Sequence, residues 1–189
     1  MKFQCVTQWL IPALAATLLA APPATAAPPA TEKLACTADD RLDILQLSSR
    51  YAWGVDLGVD RQMLSSVFAE DAVADYVGLG ANPFGLNEHL EGFEAIYAWL
   101  YRSLGHRKDT DAIPMHFNTN PLVECHGDSA DLRFFMHSRG MAVGGIYLTK
   151  VIRTKAGWRI ARLRLEEQTW NAEYFRDDPV ARKLRESGR

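Results

Sequence analysis

From Thr37 onward, Ile44, Leu45, Ser48, Tyr51, Ala52 and Val55 recur at spacings of three and four. That is one face of an amphipathic helix, about 38–57. Thr37 followed by Asp40 fits its N-terminal cap, and Gly58 fits its stop. Asp60 can cap a second, shorter helix over "RQMLSSVFA". The period then falls to two in "AVADYVG", a strand that ends in glycine. "LGANPFGLNEHLEG" reads as loop from its composition. "FEAIYAWLYRSLG" returns to the helical period and ends in a glycine. Four strand segments follow: "IPMHFNTNPLVEC", "SADLRFFMHSRG", "GGIYLTKVIRT" and "GWRIARLRLEEQTW". Short turn-like joins, "HGD", the "GMAVGG" stretch and "KAG", connect them. Residues 171–189 form a polar tail compatible with a helix.

The order helix, helix, strand, helix, then four antiparallel strands predicts an α+β fold rather than alternating βαβ units. A curved antiparallel sheet wrapped around the N-terminal helices makes a cone, an α+β barrel with one closed end and one open mouth. Its interior, over a domain of residues 37–170, is the natural place for a small molecule.

Residues 1–26 are set apart from this pattern. Lys2, the apolar run "WLIPALAATLLAA" and the A-x-A-like Ala24-Thr25-Ala26 predict a secretory signal peptide, and hence an exported, periplasmic or secreted protein. The apolar run is too short and alanine-rich for a good membrane span, so no membrane partner is expected after cleavage. Residues 27–36 read as a Pro/Ala-rich linker. The chain carries 21 basic and 23 acidic residues without a basic patch, which argues against nucleic acid as a partner. Cys36 and Cys125 are free to pair in an exported chain or to remain as thiols. No Cys or His spacing suggests a metal site, and no nucleotide-binding or nucleophile-elbow motif occurs.

The candidate chemistry lies where the pattern is violated. Asp56 puts a carboxylate on the apolar stripe, at the helix end whose dipole disfavours it. It calls for a partner, and His116, in "MHFNTN", is the best candidate. A carboxylate accepting from one ring nitrogen fixes the tautomer and strengthens the other nitrogen as a base. His137 is a second candidate. Tyr51 and Tyr76 offer phenols to a substrate oxygen. Asn118 and Asn120, two and four places from His116, are expected on the same side of its strand, with Asn120 orienting substrate. Arg162 and Arg164 share one face of the last strand and offer a grip on an anionic group. Each of these residues also has an ordinary structural use as a core, capping or solvated side chain.

The element order, with "RYAWGVDLGVDRQMLSSVFAEDAVADY", "IPMHFNTNPLVECHGDSADL" and "GGIYLTKVIRTKAGWRIARLRLEEQTW", resembles the SnoaL-like branch of the nuclear transport factor 2-like superfamily over about residues 37–170. Within that branch it is most similar to scytalone dehydratases, the hexachlorocyclohexane dehydrochlorinase and bile-acid dehydratases. The resemblance implies a cofactor-free lyase, a dehydratase acting on a small cyclic or aromatic molecule. An isomerase, a cyclase or a non-catalytic binding module is the alternative within the superfamily. Asp56 and His116 match the family's carboxylate and base, Tyr76 a tyrosine that binds substrate or water, and His137 a second histidine. Val55 stands where a second tyrosine is found, Gly145 and Tyr147 near a serine and an asparagine, and Arg162 and Arg164 beside the position of an arginine. These departures set the substrate apart from those of the relatives. The resemblance also implies a homo-oligomer, dimer or trimer, through the sheet's outer face.

Overall fold

The computed structural model describes residues 36–79, 86–105, 115–177 and 182. The expected signal peptide, the linker up to residue 35 and most of the tail lie outside the described residues.

Helix α1, Ala38–Asp56, begins with the expected capping box: Thr37 accepts from the Asp40 N–H, and Asp40 accepts from the Thr37 N–H, both at 3.1 Å. Asp40 also accepts from Trp158 Nε1 at 3.0 Å and pairs with Arg153 at 2.8 Å, so the first turn is fastened to the sheet. Arg153, then Trp158, hold the Asp40 carboxyl well below the usual carboxylate range. One residue before the cap, Cys36 forms a disulfide with Cys125, with 5.8 Å between the Cα atoms. Gly58, at φ 89°, takes the left-handed turn after the helix. Asp60 caps α2, Arg61–Ser65, by accepting from the Met63 N–H at 2.8 Å.

The remaining elements are β1 (Phe68–Val77), β2 (Asn87–Glu91), α3 (Phe93–Leu104), β3 (Phe117–Cys125), β4 (Ser129–His137), β5 (Val143–Thr154), β6 (Gly157–Trp170) and α4 (Ala172–Asp177). A single 3-10 turn, Arg139–Met141, links β4 to β5. The sheet is curled and unclosed, with strand order β2-β1-β6-β5-β4-β3. The α+β class and the wrapping of the sheet around the N-terminal helix are as expected.

Three details differ. β2 lies in a stretch expected to be loop; "NEHLE" is a polar, mostly exposed edge strand, so it lacks an apolar signal. α2 ends earlier than expected, because Val67, 0% exposed, already lies in the turn after it and Phe68, 3% exposed, is extended against β6. The Val67 carbonyl accepts from the Ile160 N–H at 2.8 Å. Finally, β1 and β6 pair in parallel, so one pair interrupts an otherwise antiparallel sheet.

The core lies between α1 and the concave face. Ile44, Leu47, Tyr51 and Val55 of α1 meet Leu132, Phe134, Tyr147, Val151, Ile160, Leu163 and Leu165 from the sheet. Each buried aliphatic or aromatic side chain contributes roughly 1.5–3 kcal/mol. Local register shifts interrupt the alternation. Thr119 pairs with Phe135, but Leu122 pairs with Arg133, so β3 carries one extra residue. Ile160 pairs with Val151, but Arg162 pairs with Lys150, so β6 does so at Ala161. A bulge reverses which residues face inward beyond it.

Candidate active site

Asp56 is the last residue of α1 and is 9% exposed. Its Oδ1 lies 2.6 Å from His116 Nδ1, and its Oδ2 accepts from the His116 backbone N–H at 2.7 Å. Both side chains are one-tenth exposed. The unfavourable helix end is thereby offset by two short, charge-assisted bonds. In the neutral form of the ring, the carboxylate as acceptor places the proton on Nδ1 and the basic lone pair on Nε2.

Two backbone outliers flank this pair. Val59, just beyond α1, has φ 62°, and Met115, immediately before His116, has φ 54°. Left-handed backbone is costly for a branched residue such as Val59. Such strain persists only where the surrounding packing over-determines it, and here it sits on both sides of one contact.

Beside the pair lies a cluster of phenols. Tyr51 Oη is 3.1 Å from Tyr76 Oη and 3.4 Å from Tyr147 Oη, and all three residues are at most 2% exposed. The Tyr51 ring meets the His116 ring edge to face, with centroids 6.2 Å apart. Trp99 stacks on Tyr76 and Phe134 on Tyr147, fixing the outer members of the cluster. Burial pushes all three phenols well above their ordinary value, so they stay neutral donors. Three hydroxyl protons serve two internal bonds, so one O–H remains to donate outside the cluster.

Asp56, His116, Tyr51, Tyr76 and Tyr147 therefore come together inside the sheet. Val55, 1% exposed, packs beside them as core. The other candidates do not join them. His137 is the odd-numbered neighbour of inward-facing Met136, so it points to the outer face, where it stacks on Phe117 with centroids 5.0 Å apart. Arg162 and Arg164 lie beyond the Ala161 bulge, which turns Leu163 and Leu165 inward and both arginines outward. Arg164 pairs with Glu166 at 2.8 Å, and both arginines line an outer-face groove of about 380 Å³ with Asp75, Asp131 and Lys150. Asn120 sits in the β3 bulge at φ 51° and is exposed, so the alternation expected from His116 breaks before reaching it.

Asn118 is the amide that does face inward. Its Nδ2 donates to the Ser48 carbonyl of α1 at 2.8 Å. Glu167 is a second residue without an expected role. It is 3% exposed, on the inward side with Leu163 and Leu165, and accepts from the Leu79 N–H at 2.6 Å. Strand alternation from Leu163 would have found Glu167. The phenol cluster joins residues up to 96 positions apart and has no local signal.

The SnoaL-like domain family matches residues 37–164. Among solved structures, a candidate aromatic ring hydroxylase from Novosphingobium aromaticivorans is 26% identical, with a TM-score of 0.56, covering 71% of this chain and 93% of its own. A candidate scytalone dehydratase from the same organism is 18% identical, with a TM-score of 0.54, covering 70% and 89%. A nuclear transport factor 2-like protein with a cystatin-like fold, also from that organism, is 24% identical, with a TM-score of 0.53, covering 77% and 88%. No curated protein matches the chain.

Proposed function

Because the chain belongs to the SnoaL-like domain family, we propose that it binds and transforms a small organic molecule, as a lyase of the dehydratase type acting on a cyclic or aromatic compound. The observation that carries this reading is the pair of hydrogen bonds, one from the backbone and one from the ring, that joins His116 to Asp56 beside a neutral phenol cluster. His116 Nε2 removes a proton from the carbon next to an activating group, and the C–H electron pair forms the new double bond. The hydroxyl on the neighbouring carbon departs with its bonding pair. It takes the proton held on Nε2 and leaves as water, so the base is restored. Asp56 stabilises the transient imidazolium, and the spare phenol proton hydrogen-bonds the departing or activating oxygen. A positioned base of this kind contributes about 10²–10⁴-fold, and orientation in the enclosed site supplies much of the rest.

A candidate scytalone dehydratase stands among the proteins that share this fold, and elimination is the reaction its name denotes. The Cys36–Cys125 disulfide supports an exported protein in an oxidising compartment. Phe117, Leu122 and Phe135, 42%, 51% and 48% exposed on the outer sheet face, support association of copies there.

The test is incubation with a panel of cyclic β-hydroxy carbonyl compounds, followed by mass spectrometry. Loss of water in the wild type, absent in His116→Ala, is the expected result. A product of unchanged mass replaces elimination with isomerisation. Water loss undiminished in His116→Ala contradicts the mechanism.

A further inference from the structure

Resting on the reading of the cone interior as a substrate pocket, we propose that Asn118 forms a hydroxyl-recognising subsite beside His116, its Oδ1 accepting the O–H of a neutral ring compound. The orientation of the amide follows from its partner. The Ser48 carbonyl only accepts, so the NH₂ group must face it, at 2.8 Å, and Oδ1 must face the other way. That oxygen is fully enclosed and has no partner among the described residues. A buried acceptor left unmade is costly, which favours a donor brought in from outside.

Position and charge define that donor. Asn118 precedes the bulge and lies on the His116 side of β3, two residues along, or roughly 6–7 Å. A six-membered ring with a hydroxyl spans such a separation while presenting a C–H to His116. The charged side chains buried among the described residues are Asp56 and Glu167, both acidic, while Arg162 and Arg164 face away. A carboxylate or phosphate ligand would meet the Asp56 carboxylate, and no lysine or arginine is buried among the described residues to offset that charge. The site thus presents an acceptor at Asn118 and a donor at the phenols, a combination that suits a neutral hydroxyl compound.

The experiment is an NMR titration of the full chain with 4-methylphenol, its methyl ether and 4-methylbenzoate, which needs no turnover. The phenol is expected to bind at least ~10-fold more tightly than the ether and to shift the Asn118 carboxamide signals, with the benzoate weakest. Asn118→Leu, checked for folding, is expected to bind phenol and ether equally. If that variant does not fold, Asn118→Ser, which keeps a hydroxyl donor, is expected to lower the ratio at least ~3-fold. Equal binding in the wild type, binding of neither compound, or a ratio unchanged by substitution of Asn118 overturns the subsite. In His116→Ala the ratio is expected to persist; its loss there would assign the hydroxyl to His116 instead. Failure of the lyase reading shows only as absent turnover, with the binding ratio intact.

Discussion

One carboxylate of Asp56 holds both the ring and the backbone of His116, at 2.6 Å and 2.7 Å. The same side chain therefore fixes where strand β3 begins and which way its imidazole turns. The backbone bond is a matter of stability, and the ring bond is a matter of chemistry. Substitutions of Asp56 separate the two.

Asp56→Asn keeps an oxygen for the backbone N–H but presents an NH₂ to Nδ1. The ring then carries its proton on Nε2 and loses its free base. We expect activity to fall by about 10²–10⁴-fold while stability falls by only about 1–2 kcal/mol. Turnover and urea denaturation measured on one preparation check this. Equal fractional losses of both would contradict it.

Tyr51→Phe removes the hydroxyl that joins Tyr76 to Tyr147. Two buried phenols then lose their partner at once, at a cost of about 1–3 kcal/mol. Tyr76→Phe added to Tyr51→Phe is expected to cost less than the sum of the single changes, because the shared bond is already gone. Additive losses in a double-mutant cycle would mean that the three hydroxyls do not act as one network.

The phenols also set an alkaline limit. Their ionisation lies above its ordinary value in the folded state through burial. The unfolded chain therefore gives up these protons first as pH rises past about 10. Stability is unaffected below that pH and declines above it, by up to about 1.4 kcal/mol per pH unit for each phenol. Tyrosinate absorbance from these three residues is expected to appear together with unfolding. Their titration in the intact fold would contradict the buried cluster.

Reduction of Cys36–Cys125 removes a crosslink between residues 89 apart in sequence. The chain-entropy treatment puts its contribution at about 3–5 kcal/mol. The bond ties the start of α1, which carries Asp56, to the end of β3, the strand that His116 immediately precedes. Melting with and without reductant, and in Cys36→Ser, is expected to show the loss. Unchanged melting would indicate that the cysteines are not paired in solution.

The helices and long strands were legible because each has one buried face, and the Thr37 and Asp60 caps carry their own local signal. Asp56 stood out because a carboxylate on an apolar stripe at a helix C-terminus needs a compensating partner. What alternation alone misread lies beyond bulges. One extra residue in β3 turned Asn120 out, and Ala161 in β6 sent Arg162 and Arg164 to the outer face. A bulge leaves little trace in a hydrophobic pattern, because both flanking segments still alternate. The pairing of β1 with β6 and the meeting of three phenols are set by topology, which no local spacing records.

The most direct test is the tautomer of His116, read from its ring ¹⁵N chemical shifts in the wild type and in Asp56→Asn. The account predicts a proton on Nδ1 and a free Nε2 in the wild type, exchanging to a proton on Nε2 in the variant. A wild-type ring protonated on Nε2 alone, or the same tautomer in both proteins, would contradict the claim that Asp56 prepares His116 as a base.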